Sequence, residues 1–158
     1  MKTLIVYYSR TGHNQQMAFN LHEQMQGDLD QIVDRKNREG MFGCVMAAML
    51  KSKTQIAFSK DPAAYDQIVV VTPLWGGNLP PATRTYLAQN KGKLREFAFL
   101  SVCGLGEENK NALKDVATTA NQRPVATLLI KETEVDNALS KQKYATFVDQ
   151  LQHQMVTT

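Results

Sequence analysis

Continuous apolar runs that alternate with helical patterns are the feature that most restricts how this chain can fold. The runs are four to six residues long, and "QIVVVT" (67–72) is apolar enough to lie between two covered faces. Between the runs, apolar residues recur at intervals of three or four, as at Met17, Leu21 and Met25. This alternation favours a parallel sheet covered by helices on both faces. The predicted strands are 3–8, 31–34, 67–72, 97–102 and 125–130, and the predicted helices are 14–26, 41–50, 82–90, 108–121 and 136–155.

The length and composition fit one folded domain spanning 1–158. The chain has 158 residues, of which 43% are hydrophobic and 21% charged, and no repeat, low-complexity segment or linker divides it. Its start does not have the pattern of a signal peptide, and the longest nearly uncharged stretch, 41–50, is too short to span a bilayer. We therefore expect no membrane span and a cytoplasmic location. Cys44 and Cys103 have no metal-ligand spacing, so we expect buried, reduced thiols and no metal.

The net charge of +3 is unevenly distributed along the chain. Residues 34–60 contain six basic and two acidic side chains, so this segment carries +4 and the rest of the chain −1. Such a patch can attract phosphate or an acidic partner. No run of Lys and Arg is interleaved with aromatic residues, which argues against nucleic acid as a partner.

Within the basic segment, "MFGCVMAAML" (41–50) is apolar nearly all round. As a helix it should be buried on most sides. One interpretation is a core helix between strands two and three. The other is a helix that borders a ligand pocket or a subunit interface, because Met adapts to irregular surfaces.

A polar loop, "SRTGHN" (9–14), lies between the first predicted strand and the first predicted helix. In an open parallel sheet, ligands bind beyond the carboxyl ends of the strands. The following helix presents unpaired N–H groups and the positive end of its dipole, which favours an anion such as phosphate. Gly12 lets the backbone turn closely around that anion, and Ser9 and Thr11 add hydroxyl donors. Asn14 can cap the helix or donate from its amide. An ordinary capped loop is the alternative, since neither a Walker A loop nor GxGxxG is present.

Two further loops follow the third and fourth predicted strands. "TPLWGGNLPP" (72–81) offers the flat surface of Trp75 and the permissive backbone of Gly76 and Gly77. "VCGLGEEN" (102–109) exposes backbone groups at Gly104 and Gly106. With the first loop, these make a site for a planar aromatic molecule that carries a phosphate. The alternative for Trp75 is a partly buried packing residue.

These motifs make the chain resemble the flavodoxins along nearly its whole length. "SRTGHN" is similar to the family's phosphate loop, "PLWGGN" (73–78) to the loop that stacks an aromatic side chain on the flavin, and "CGLGEE" (103–108) to the loop at the pyrimidine edge. The resemblance implies non-covalently bound FMN in an α/β, flavodoxin-like three-layer sandwich, with a five-stranded parallel sheet of order 2-1-3-4-5 and helices on both faces. Carried over by position, the FMN-binding residues are Ser9, Arg10, Thr11, Gly12, His13, Asn14, Pro73, Leu74, Trp75, Gly76, Gly77, Asn78, Cys103, Gly104, Leu105 and Gly106.

Two departures from the family's pattern bear on function. Many flavodoxins are acidic and stack a second aromatic residue from the third loop, whereas this chain is basic and "CGLGEE" has no aromatic residue. The resemblance implies electron transfer through the flavin to a redox partner protein or to a small-molecule acceptor such as a quinone. An NAD(P)H-dependent FMN quinone reductase is the alternative, since one face of the ring is left open and Arg35, Lys36 or Arg38 could hold dinucleotide phosphates. A flavin-free interaction domain is a third class. No set of residues has the pattern of a general acid and base, so we predict no catalytic residue. The sequence does not indicate the oligomeric state.

Overall fold

The computed structural model describes residues 1–9, 12–36 and 40–154, and these ranges contain seven strands and five α-helices. Short 3-10 turns at Pro62–Ala64, Gly106–Glu108 and Glu132–Glu134 join some of these elements. In chain order the strands and helices are β1 (Thr3–Tyr7), α1 (His13–Met25), β2 (Asp28–Gln31), β3 (Val33–Asp34), α2 (Met41–Met49), β4 (Ile56–Ala57), β5 (Gln67–Val71), α3 (Pro81–Gln89), β6 (Glu96–Cys103), α4 (Lys110–Ala120), β7 (Ala126–Lys131) and α5 (Ala138–Gln154).

The central sheet contains five parallel strands in the order β2-β1-β5-β6-β7. Numbered along this sheet alone, the order is 2-1-3-4-5, which confirms the prediction. All five residues of β1 and all five of β5 are buried, because these two strands lie inside the sheet with helices on both faces.

The core divides into two layers, one on each face of the sheet. Alternate residues of β1 and β5, such as Ile5 and Val69, pack with side chains from α1 and α5. The intervening residues, such as Leu4 and Ile68, pack with side chains from α2, α3 and α4. This follows from the two-residue period of a strand, and it confirms the predicted three-layer α/β/α architecture.

The second strand lies three residues earlier than predicted: the prediction was 31–34, and β2 is Asp28–Gln31. β2 is an edge strand, so backbone pairing with β1 holds it, and a hydrophobic run is not required. Its one fully buried residue is Asp30, whose carboxylate accepts hydrogen bonds from the backbone N–H groups of Ser59 (2.9 Å) and Lys60 (2.7 Å). The apolar residue that suggested the later strand, Ile32, is buried just beyond β2.

A second, two-stranded sheet was not predicted. β3 and β4 pair antiparallel, with Val33 opposite Ala57, and the pairing continues where the Arg35 N–H donates to the Gln55 carbonyl (2.9 Å). The segment that joins these two strands contains α2. The described part of the basic segment therefore forms an excursion from the central sheet that contains α2.

The prediction that 41–50 is buried on most sides is wrong. Among the described side chains of α2, only Cys44 and Ala48 are fully buried, whereas Phe42 is 80% and Met49 is 58% exposed. On this face, α3 and α4 already cover the sheet. α2 therefore reaches the core through Cys44 and Ala48, with the partly buried Val45 packed beside them.

The carboxyl end of α2 is held by Asp115 of α4. Lys51 adopts a left-handed conformation (φ 50°), its N–H donates to the Ala48 carbonyl, and its ammonium lies 3.5 Å from the Asp115 carboxylate. The buried Arg84 guanidinium binds the same carboxylate through two hydrogen bonds of 2.6 and 3.1 Å. Burial alone would raise the pKa of Asp115, but the bonds and charge of Arg84, together with Lys51, outweigh it and hold that pKa below its ordinary value.

Candidate functional site

Three loops emerge side by side at the carboxyl edge of the central sheet. The strands are in register there, with Tyr7 of β1 beside Val71 of β5, which is beside Leu100 of β6. The segments that follow β1, β5 and β6 are the three that contain the predicted ligand motifs. Parallel pairing therefore brings together residues that are far apart in the sequence.

The first loop leads into α1, whose N-cap residue is a glycine and has no side chain to cap the helix. Gly12 occupies the N-cap position with φ 98°, a conformation that favours glycine, and it makes no side-chain capping bond. Its N–H donates to the Ser9 hydroxyl (3.1 Å), and the exposed His13 begins the helix. The first turn contains no acidic residue, so the positive end of the helix dipole is not compensated there. The other two residues of this motif, Arg10 and Thr11, lie outside the described residues.

Asn14 joins the first loop to the third. Its side chain is 1% exposed, and its amide donates to the Val102 carbonyl (3.0 Å) and accepts from the Val102 N–H (2.9 Å). The amide therefore does not cap α1. It fixes the beginning of α1 to the end of β6, where the third loop starts.

The second loop contains a tight two-residue turn. Trp75 and Asn78 exchange two backbone hydrogen bonds of 2.8 and 3.1 Å, and the central residues, Gly76 and Gly77, have φ of 56° and 76°. Positive φ at both central positions is the signature of a type I′ turn, which explains the glycine pair. Trp75 is 8% exposed, and its ring meets that of Tyr8 edge-on at 5.8 Å between centroids.

The third loop turns sharply between Cys103 and Asn109. Gly106 has φ 55°, and a Cβ there would lie 3.0 Å from the Lys131 backbone nitrogen, so both conformation and space require glycine. The Asn109 amide donates to the Cys103 sulfur (3.3 Å). Leu105 remains half exposed at the tip of the loop.

A cavity of about 230 Å³ lies between the second and third loops. Most of its lining is apolar side chain or glycine backbone, with the Asn109 amide and the Glu132 carboxylate as polar groups. The lining residues are Cys44, Val45, Pro73, Leu74, Trp75, Gly76, Gly77, Cys103, Gly104, Leu105, Asn109 and Glu132.

Several solved structures are similar to this one over most of their length. A flavoprotein from Lactobacillus acidophilus NCFM, described in complex with FMN, is 22% identical with a TM-score of 0.73, and the match covers 85% of this chain and 96% of that one. Flavodoxin 2 from Bacillus cereus is 17% identical with a TM-score of 0.61, covering 98% and 99%. An NADPH-quinone reductase from P. pentosaceus is 12% identical with a TM-score of 0.57, covering 94% and 96%. The chain has a flavodoxin-like fold. No protein-family model and no curated protein matches the sequence.

The flavodoxin-like arrangement gathers half of the predicted site residues around the cavity: Pro73, Leu74, Trp75, Gly76, Gly77, Cys103, Gly104 and Leu105. The remaining described ones, Ser9, Gly12, His13, Asn14, Asn78 and Gly106, lie in the same three loops without lining it. His13 instead lines a neighbouring surface cleft with residues of α1 and α5, and Glu132 borders both spaces.

Four residues that line the cavity were not among the predicted site residues. Asn109 closes the third loop directly after the glycine motif, so a longer motif would have included it. Glu132 follows β7, and strand ends at the carboxyl edge are the expected ligand positions. Cys44 and Val45 belong to α2, for which the pocket-bordering interpretation agrees with the structure and the fully buried one does not.

The three loops offer groups that suit the two ends of FMN. The Trp75 ring and the Leu74 and Leu105 side chains give apolar walls for a flat ring, and glycine backbone lies beside them. The start of α1, with glycine at the N-cap, offers N–H groups and positive potential for a phosphate. In the described ranges, no group of three His, Cys, Asp or Glu side chains could hold a metal ion. None of the described helices is long and apolar enough to cross a membrane.

Proposed function

We propose that this chain binds FMN non-covalently at the carboxyl edge of its sheet and transfers electrons through it. The observation that carries the proposal is the cavity between Pro73–Gly77 and Cys103–Leu105, together with an α1 N-terminus whose N-cap residue is Gly12. Ligand pockets commonly measure about 300–1,000 Å³. The smaller cavity here suits the ring portion of FMN, with the phosphate outside it at the first loop. The flavoprotein of L. acidophilus, described in complex with FMN, supports this assignment.

The proposed roles follow from the three loops. Trp75, Leu74 and Leu105 hold the ring, while Ser9 and the backbone at Gly12 and His13 hold the phosphate, with Arg10 and Thr11 as further donors inferred from the sequence. Asn14 and Asn109 are positioning residues, because their amides bind Val102 and Cys103 rather than facing the phosphate loop. When bound, FMN supplies the redox chemistry, and the protein supplies binding, orientation and electrostatics.

The fluorescence of Trp75 tests the proposal directly, since it is the only tryptophan in the chain. Titration of the apoprotein with FMN should quench this fluorescence, because the indole lines the cavity. Riboflavin, which lacks the phosphate, should quench to the same final level but bind about ten- to a hundredfold more weakly. Each charge-assisted hydrogen bond contributes about 1.5–3 kcal/mol, and about 1.4 kcal/mol is a factor of ten. If neither FMN nor riboflavin quenches the fluorescence, the proposal is refuted.

A matched pair of variants tests the phosphate loop. Thr11→Ala should weaken FMN by about tenfold and leave riboflavin unchanged, since it removes one donor to the phosphate. Thr118→Ala is the control: Thr118 is exposed on α4, and the one bond of its hydroxyl among the described residues is to the Lys114 carbonyl, so both affinities should stay the same. If Thr11→Ala weakens the two ligands equally, the phosphate lies elsewhere.

The electron acceptor in this proposal is a redox partner protein or a small molecule such as a quinone. The proposal also takes 1–158 as one domain and the cytoplasm as its location, both on the sequence arguments given above.

A second candidate function is NAD(P)H-dependent quinone reduction. The half-exposed Leu105 favours it, because no aromatic side chain of the third loop covers the outer side of the cavity, and the NADPH-quinone reductase of P. pentosaceus has a similar structure. Anaerobic addition of NADPH to the holoprotein separates the two functions. Rapid bleaching of the flavin, with NADPH consumption that depends on added quinone, would favour the reductase, and slow bleaching would favour the carrier.

A further inference from the structure

An exposed apolar surface, which we call the outer face of α2, consists of Phe42, Met46 and Met49 of the helix and Leu50, which directly follows it. These side chains are 80%, 39%, 58% and 71% exposed. At about 100° per residue they fall within one arc of the helix, opposite the buried Cys44 and Ala48. Single exposed apolar residues are ordinary, but a continuous row of four marks an interaction surface.

Basic residues flank α2 on both sides in the sequence. Arg35 and Lys36 precede the helix, Lys51 and Lys53 follow it, and all four side chains are exposed. The bond from the Arg35 N–H to the Gln55 carbonyl (2.9 Å) brings the two ends of the excursion together, so these charges share one side of the molecule. An apolar centre with a charged rim is the usual anatomy of a protein docking site.

The same helix borders the proposed ring site. Cys44 and Val45 line the cavity from the inner side of α2, and a Cβ on Gly76 would lie 3.1 Å from Val45. A protein seated on the outer face of α2 is thus separated from the cavity by one helix, about 10 Å with its side chains.

We propose that the outer face of α2 docks an acidic electron-transfer protein, whose carboxylates meet the rim of Arg35, Lys36 and Lys53. This inference rests on the proposed function and names its partner. Charge complementarity selects the occupant, since an acidic surface is attracted to the rim and its encounter is accelerated. A second copy of this chain would bring two segments of +4 together, which disfavours it.

Cytochrome c and its lysine-succinylated form provide a matched probe pair, because the modification reverses the surface charge around the same haem. In the test, one electron passes from the holoprotein, reduced beforehand with dithionite, to each ferric haem, which becomes ferrous. The succinylated form should be reduced faster than native cytochrome c at low salt, and its rate should fall as salt is added. A faster reaction of the native form would overturn the charge assignment.

Paired variants locate the encounter. Lys53→Glu should slow reduction of the succinylated probe at least about threefold at low salt, whereas Lys91→Glu, the same change at the amino edge of the sheet, should not. Phe42→Ser should slow it as well, whereas Leu139→Ser, at a side chain 57% exposed on α5, should not. Equal effects within either pair would overturn the docking site.

Three further measurements distinguish an acidic partner from a second copy of the chain and from lipid, and test the docking independently of flavin binding. Sedimentation velocity that shows a dimer abolished by Phe42→Ser would overturn the proposal in favour of a second copy, and Phe42-dependent cosedimentation with phosphatidylglycerol vesicles would overturn it in favour of lipid. NMR titration of the full-length apoprotein with succinylated cytochrome c should shift the amides of 40–53 without any flavin. Shifts there with no FMN binding would refute the proposed function alone; normal FMN binding without such shifts would refute only the docking.

Discussion

Replacing Asn14 separates the structural role of this residue from a direct contact with phosphate. Asn14, which is 1% exposed, donates to the Val102 carbonyl and accepts from the Val102 N–H through its side-chain amide. Asn14→Ala removes this amide. A buried polar group left without a partner costs about 1–3 kcal/mol. Two such groups on Val102 therefore lower the unfolding free energy by about 2–6 kcal/mol.

Urea and thermal unfolding measure this loss. For a chain of this length, 1 kcal/mol corresponds to about 2–4 °C, so Tm should fall by about 4–24 °C. Asn20→Ala is the matched control on the same helix, because its only described side-chain bond is an exposed one with Gln16 (3.1 Å). It should change the unfolding free energy by no more than about 0.5 kcal/mol. Equal losses in the two variants would refute the bridging role of Asn14.

The flavin affinities of the same variant decide what Asn14 does at the site. Since its amide faces Val102, Asn14→Ala should weaken FMN and riboflavin by the same factor and leave their ratio unchanged. Fluorescence titration below the unfolding transition measures both affinities. A tenfold loss of FMN affinity alone, with unchanged stability, would mean that Asn14 donates to the phosphate.

Two other substitutions test the second loop and the support of α2. Gly77→Ala should destabilise the protein more than Gly92→Ala. Both positions have φ near 77°, but only at Gly77 does the new Cβ meet a neighbour, the Asn109 Oδ1 at 3.0 Å. Chemical denaturation of both variants measures the difference, and equal losses of unfolding free energy would contradict it. Asp115→Asn should cost about 3 kcal/mol at pH 7 by leaving the Arg84 guanidinium without its charged partner. Because the pKa of Asp115 is lowered in the folded state, the contribution of the pair is present above about pH 4 and is lost as pH falls through the folded pKa, so the difference from wild type should shrink in denaturation at low pH. A pH-independent difference would mean that packing, not charge, holds this site.

Features with a local sequence signal were predictable. The alternation of strands and helices follows from apolar periodicity, the sheet order from the resemblance to the flavodoxins, and the turn at Gly76–Gly77 from the demand for positive φ. β2 was misplaced because an edge strand held by backbone pairing needs no hydrophobic run, and its buried residue is the polar Asp30. β3 and β4 were missed because two-residue strands have no measurable period.

Contacts between distant residues could not be read from local patterns. Asn14 suits a helix cap by residue type, yet its partner is Val102, 88 positions away. In the same way, the apolar residues of 41–50 predict a helix but do not say which of its faces is covered, and only two of its described side chains proved fully buried. The glycine motifs and Trp75 predicted the parts of the cavity lining that the second and third loops form. Val45 and Glu132 also line the cavity, but only tertiary packing brings them there, and no local motif indicates it.

The shallow attachment of α2 has a consequence for how such a chain can change. Cys44 and Ala48 tie the helix to the core, and the side chains that point away from it bury little on folding. Substitutions at Phe42 or Met49 should therefore lower the unfolding free energy only slightly. A comparable change at Phe99 of β6, which is fully buried, leaves a cavity and lowers it by about 3–5 kcal/mol. Mutation can rewrite the outward surface of this helix, and with it the choice of partner, while the sheet that supports the three loops stays the same.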